Sequence, residues 1–297
     1  MVRVSAPLAF AVACVAVSTY AAMDVFMKQL SIESGAYSAV LWRSLAGVVI
    51  AGALFAARRG RWPGREALRL HLLRGATAGI SVLFFFWGLA RIPMAKGVAL
   101  TFLAPLIALF LAAGMLGERL RRAAVWGSVV AGAGVLVIAL GEVEAKASTD
   151  SVLGALAVFV ASIFYAVSLV YLRQQAQAAD PVEVTLFTGL VMGGMLLPAA
   201  PWLSGMPEAG QATTVIVAAM LGTVSSLMFA WAYSHAEAQV LAPVEYTAFV
   251  WAALFGWLAF GERVTAWTVA GTALIVLGCV VAVRRVSGPG PQLEAGA

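Results

Sequence analysis

An all-α integral membrane protein of ten transmembrane helices, arranged as an inverted repeat of two five-helix halves, is predicted by three observations. The first is composition: of 297 residues, 62% are apolar and only 11% charged, against about 45–50% and about 25% in a soluble domain. The second is a succession of apolar stretches, each of about 20 residues, the length of helix that crosses a hydrocarbon core of roughly 30 Å. The third is that the chain matches itself at a constant offset, most visibly where "LGERL" (116–120) returns as "FGERV" (260–264).

The stretches fall at about 7–30, 36–57, 70–91, 93–114, 120–140, 151–172, 181–203, 212–234, 240–260 and 264–284. Each is continuously apolar, whereas a strand of a membrane barrel needs about 10 residues of alternating character, so helices are predicted throughout. Turn-forming and charged joints mark the exits to water: "RRGRWPGRE" (58–66), "GEVEAKASTD" (141–150) and "PWLSGMPEAGQ" (201–211). Arg3 before an apolar run imitates a secretory leader, but the run passes through Asp24 to Leu30 and nine more spans follow, so it reads as an uncleaved first helix.

Ten spans put both termini on one side. With the termini in the cytoplasm, the inner set holds Arg3, the six arginines from Arg58 to Arg74, Arg119, Arg121, Arg122, Arg173, Arg284 and Arg285. Lys28, Arg91, Lys96, Lys146 and Arg263 fall outside, and Arg43 lies within a span. That excess has the sign expected for short loops obeying the positive-inside rule. Both termini are therefore expected in the cytoplasm. The basic residues follow the topology, which accounts for the pI near 9.6 without nucleic acid as a partner.

At an offset of 144, Gly117, Glu118 and Arg119 meet Gly261, Glu262 and Arg263, Gly127 meets Gly271, Gly134 meets Gly278, Ser81 meets Ser225, Phe85 meets Phe229 and Trp87 meets Trp231. An offset of 145 aligns Tyr20 with Tyr165 and Lys28-Gln29 with Arg173-Gln174. The halves are expected at 1–148 and 149–297. Because each holds an odd number of helices, the second enters the membrane from the opposite side, the inverted arrangement many secondary transporters use.

These halves, with "LGERL" and "FGERV" closing corresponding helices, resemble the drug/metabolite transporter superfamily of EamA type over about 7–284, and within it the bacterial amino-acid exporters of the YddG kind. The resemblance implies a ten-helix basket that exports small metabolites, its central cavity lined mainly by the third, fourth, eighth and ninth helices. The sequence departs from strict symmetry at its prolines: Pro105 in the fourth helix has Phe249 as repeat mate, and the ninth helix carries Pro243 instead. Different local bends are expected in the two halves.

Ionisable side chains inside a span cost about 2.5–3.5 kcal/mol each on insertion scales, so each needs a reason. Asp24 and Lys28, four apart on one helix face, are expected to pair with each other. Arg74 is expected to snorkel to the cytoplasmic headgroups, Arg43 to snorkel or pin a neighbouring helix, and Lys96 to be a solvated helix end. Glu245, two residues after Pro243 in a cavity-lining helix, is a candidate for binding a substrate ammonium or carrying a proton. Aromatic and hydroxyl residues complete the substrate-binding set: Tyr20, Ser81, Phe84, Phe85, Trp87, Thr101, Tyr165, Ser225, Phe229 and Tyr246. An apolar cavity with a few hydroxyls suits zwitterionic amino acids or similar small amphipaths. Gly75-xxx-Gly79 and Gly189-xxx-Gly193 read as close helix contacts.

Other functions are disfavoured by what is missing. There is no GxxxxGK[ST] loop to bind ATP and no G-x-S-x-G turn. Arg173, Arg263, Arg284 and Arg285 lie near helix ends, where they cannot converge on a phosphate deep in the cavity. His71 and His235 lack a neighbouring Cys or acidic cluster in sequence, and Cys14 and Cys279 sit apart in apolar runs, so no metal, disulfide, cofactor or enzymatic chemistry is expected. The partners expected are a small-molecule substrate and the lipid bilayer.

Overall fold

The computed structural model describes residues 6–60, 62–116, 122–144, 148–175, 179–235, 244 and 246–284. Among these residues there is no strand. The helices are α1 (Ala6–Glu33), α2 (Gly35–Ala57), α3 (Arg65–Leu89), α4 (Met94–Thr101), α5 (Ala104–Leu116), α6 (Arg122–Glu144), α7 (Thr149–Gln175), α8 (Pro181–Leu196), α9 (Ala200–Leu203), α10 (Ala209–His235), α11 (Ala248–Phe260) and α12 (Ala266–Arg284). They form ten spans, because α4 and α5 share the fourth and a 3-10 turn over Leu197–Ala199 joins α9 to α8. Large apolar side chains such as Val49, Trp126, Leu136 and Val250 stand exposed on the outer helix faces, as a bilayer requires.

The fourth span breaks where its proline predicts. Pro105 has no N–H to donate one turn back, and the chain tightens just before it, with Phe102 N–H donating to Ala99 O at 3.2 Å and Leu103 N–H to Leu100 O at 3.3 Å. Regular spacing resumes with Ile107 N–H on Leu103 O at 3.0 Å. In the ninth span, Pro243 lies outside the described residues. At the far end of α11, Gly261 takes the left-handed conformation at φ 66°. Its N–H donates to Trp257 O at 3.0 Å and that of Glu262 to Gly256 O at 3.2 Å, so this glycine closes the helix as the repeated tripeptide suggested.

The two halves interleave. The most extensive helix contacts join α6 to α12, α3 to α7, α1 to α10 and α2 to α8, each pairing a helix of the first half with one of the second. Glycine makes the closest of them possible. A Cβ on Gly134 would lie 2.5 Å from Gly271 O, and one on Gly278 would lie 2.4 Å from Gly127 O. Gly75 and Gly79 face Val191 and Met195 of α8 in the same way, and Gly189 faces Val48 and Gly193 faces Leu45 of α2, so the small-residue patterns do serve helix packing.

The repeat is also written in hydrogen bonds. Ser81 Oγ on α3 donates to Ala161 O on α7 at 2.8 Å, and its repeat mate Ser225 on α10 donates to Ala16 O on α1 at 2.6 Å. Ala16 and Ala161 are themselves mates at the 145 offset. The same contact made twice with the halves exchanged is the signature of a two-fold axis. With five spans in each half, that axis lies in the membrane plane.

Candidate functional site

Near the middle of the membrane several helices turn polar groups toward one another. Tyr20 and Asp24 lie one turn apart on the same face of α1. Tyr20 Oη shares a 2.6 Å hydrogen bond with Ser226 Oγ on α10, and its ring stands 5.8 Å from that of Phe229. From α2, Arg43 reaches in about 12 Å beyond the start of its helix. Its Nη1 points to Met23 Sδ at 3.6 Å and its Nη2 to Met192 Sδ at 3.9 Å, and Nε has no hydrogen-bond partner among the described residues. Gly222 of α10 leaves room for this head, since a Cβ there would lie 3.5 Å from Nη1 and 2.9 Å from Met23 Sδ.

Arg43 and Asp24 act on each other electrostatically, yet they are not among the direct ion pairs of the described residues. Arg74 joins the group from α3: its Nη1 donates to Thr188 Oγ1 at 2.9 Å, and its charge acts on Tyr20 and Tyr165. The snorkelling expected of Arg74 is thereby corrected. Helix α3 starts at Arg65, five residues before the apolar run begins, so Arg74 lies more than a turn deeper than the run alone implied.

Where α1 ends, a clasp of main-chain and charged groups joins the halves. Lys28 Nζ donates to Ile92 O at 2.6 Å and forms an ion pair with Glu262 Oε1. Glu262 Oε2 accepts the N–H of Met94 at 2.7 Å, the first residue of α4. The expected Asp24–Lys28 pair is thus replaced by one that spans 234 positions, because the fold brings Glu262 and Ile92 O within reach of the flexible lysine stem. Glu262 in turn offsets the positive N-terminus of α4 rather than that of the helix that follows it in sequence. Lys96 is buried at 3% exposure, not solvated, because α7 and α11 enclose α4.

On the opposite side, His71 Nε2 contacts Glu183 Oε1 at 2.9 Å and its ring stacks on Phe187 at 4.6 Å, an acid partner the sequence around His71 did not reveal. Cys14 and Cys279 are free, and Cys279 is buried against Phe102 O at 3.3 Å.

The predicted substrate-binding residues divide by position. Tyr20 and Phe229 belong to the central group, and Tyr165 feels the charge of Arg74. Ser81 and Ser225 direct their hydroxyls to carbonyls of adjacent helices, and Thr101 bonds Val98 O on its own helix. Phe84 is exposed and stacked on Phe164, and Phe85 packs edge-on against Phe86. Trp87 lies under the Arg91 guanidinium at 3.6 Å near the end of α3. Tyr246 packs edge-on to Phe102 at 5.4 Å. Glu245 lies outside the described residues. Sequence reasoning favoured structural roles for Asp24 and Arg43; the signal that marks them is that both are ionisable and well inside a span.

A recess of about 210 Å³ opens between the α1–α2 joint and the segment leading into α10, lined by Leu30, Ser34, Ser38, Trp42 and Gly205. An apolar groove lined by Trp62, Leu72, Phe187 and Met195 runs along the outer face of α3 and α8.

The family model described as "EamA-like transporter family" matches residues 7–140 and again 152–284. The pseudopaline exporter CntI of Pseudomonas aeruginosa is 27% identical over 91% of this chain and 94% of its own length. A probable terminal-alkyne amino-acid exporter of Streptantibioticus cattleyicolor is 26% identical over 91% of this chain and 90% of its own. A riboflavin transporter of Rhizobium johnstonii is 25% identical over 77% of this chain and 73% of its own. A solved crystal structure, 23% identical, superposes with a TM-score of 0.60 over 96% of this chain and 100% of that one, a likeness of fold.

Proposed function

Because the chain belongs to the EamA-like transporter family, a family of membrane transporters rather than enzymes, we propose that it exports amino acids or related small metabolites across the bacterial inner membrane by alternating access, with both termini in the cytoplasm. The observation that carries this reading is the placement of Tyr20, Asp24, Arg43 and Arg74 at mid-membrane, between helices of both halves. Charged groups are retained in a bilayer where they meet each other or a substrate, and an inverted repeat holds its cargo near the midplane, which supports reading this group as the cargo site. The clasp of Lys28 and Glu262 crosses between the halves on one side of that centre, so transport requires it to open when that side admits water. Glu245, two residues after Pro243 in the sequence, remains a proposed carrier of a proton or a substrate ammonium.

Purified protein in liposomes with a panel of radiolabelled amino acids is expected to accelerate flux of at least one. No flux above that of empty liposomes across the whole panel defeats the amino-acid reading, and a wider panel of small metabolites then becomes the next test. Repeating the positive case with and without an imposed pH gradient separates proton antiport from facilitated diffusion. Glu245→Gln is expected to alter rate or pH dependence; if both are unchanged, the proposed role of Glu245 falls.

A further inference from the structure

Asp24 and Arg43 are opposite charges held in one mid-membrane centre without direct contact. In a low-dielectric setting two such groups attract strongly, and each is costly to bury unless its own hydrogen bonds are satisfied. Here they form no direct ion pair. The Arg43 head faces the sulfurs of Met23 and Met192, weak acceptors that leave a guanidinium's donors unsatisfied, and Nε has no partner among the described residues. The Asp24 carboxylate, only partly buried, makes no hydrogen bond among the described residues. The other polar groups nearby are engaged: Tyr20 with Ser226, Arg74 with Thr188.

We propose that Asp24 and Arg43 bracket the charged ends of a zwitterionic α-amino acid, Asp24 receiving its ammonium and Arg43 its carboxylate. This rests on the amino-acid export reading and names the groups that would recognise the substrate. A planar guanidinium matches a carboxylate two-pronged, and one turn back along α1 the Tyr20 ring, with Phe229 beside it, supplies a wall for the side chain. An analogue lacking one end binds more weakly, because it leaves one of the two charges unanswered.

The test is competition against the flux of labelled leucine, phenylalanine or glutamate, whichever the wild type carries fastest. The competitors are the unlabelled amino acid, its decarboxylated amine and its deaminated acid. Wild type is expected to be inhibited by the amino acid at a concentration at least tenfold lower than by either analogue. In Asp24→Asn the deaminated acid gains at least tenfold relative to the amino acid; in Arg43→Gln the amine gains likewise. The double variant Asp24→Asn/Arg43→Gln removes both charges together, and is expected to flatten the preference if a single variant fails to fold. An unchanged ranking of the three competitors in every variant that folds overturns the bracket while leaving amino-acid export intact. Wild-type liposomes with no flux of any amino acid defeat the export reading itself.

Discussion

At the residue scale the clearest consequence concerns Lys28. Removing one member of a buried ion pair strands the other and costs about 3–5 kcal/mol. Lys28→Met is therefore expected to lower the thermal unfolding midpoint in detergent markedly, and Lys28→Met/Glu262→Gln to recover much of the loss because it leaves no unpaired charge. An unchanged midpoint in the single variant would contradict the pairing. The sequence favoured Asp24 as the partner because spacing along one helix is all that a local reading offers, and nothing local brings residue 262 to residue 28. The repeat did hold a clue: Lys28 is the mate of Arg173 and Glu262 the mate of Glu118, so both halves carry a basic and an acidic member at the same places. The central residues were visible as charges in oily surroundings, but their mutual placement depends on five helices meeting and was beyond any local pattern.

At the element scale, all ten spans were legible, since continuous apolar runs of spanning length admit no other regular structure in lipid. Their ends were less so: α3 begins ahead of its apolar run because Arg65, Glu66 and Arg69 are good helix formers at an interface. Two glycines on α6 give a sharp test of packing. Gly134→Ala places a methyl against Gly271 O and Ile275 and is expected to cost about 1–3 kcal/mol as an overpacked contact. Gly132→Ala, two residues away with nothing within 4 Å, is expected to be neutral or to gain up to about 1 kcal/mol from helix propensity. Chemical denaturation of the two variants side by side distinguishes them; equal loss would mean that α6 does not meet α12 along this seam. The break between α4 and α5 was legible through Pro105, whereas the tight 3-10 bonds that accompany it were not.

At the scale of the whole molecule, inversion followed from counting helices, and the interleaving did not, because sequence order says nothing about which half a helix packs against. The serine bonds from Ser81 to Ala161 and from Ser225 to Ala16 carry a meaning beyond adhesion. Each half offers its partner the same donor and the same acceptor that it receives, so the chain behaves as a homodimer whose subunits have been spliced together, each making its most extensive helix contacts with the other. Cut in the joint near 145–147, the two fragments expressed separately are expected to aggregate. Expressed together they are expected to reassemble and restore at least a tenth of the intact chain's flux, which proteoliposome assays of the co-purified pair would register. The covalent link then supplies stoichiometry more than architecture: it guarantees one copy of each orientation in every molecule, a condition that two free identical subunits would meet only by inserting both ways.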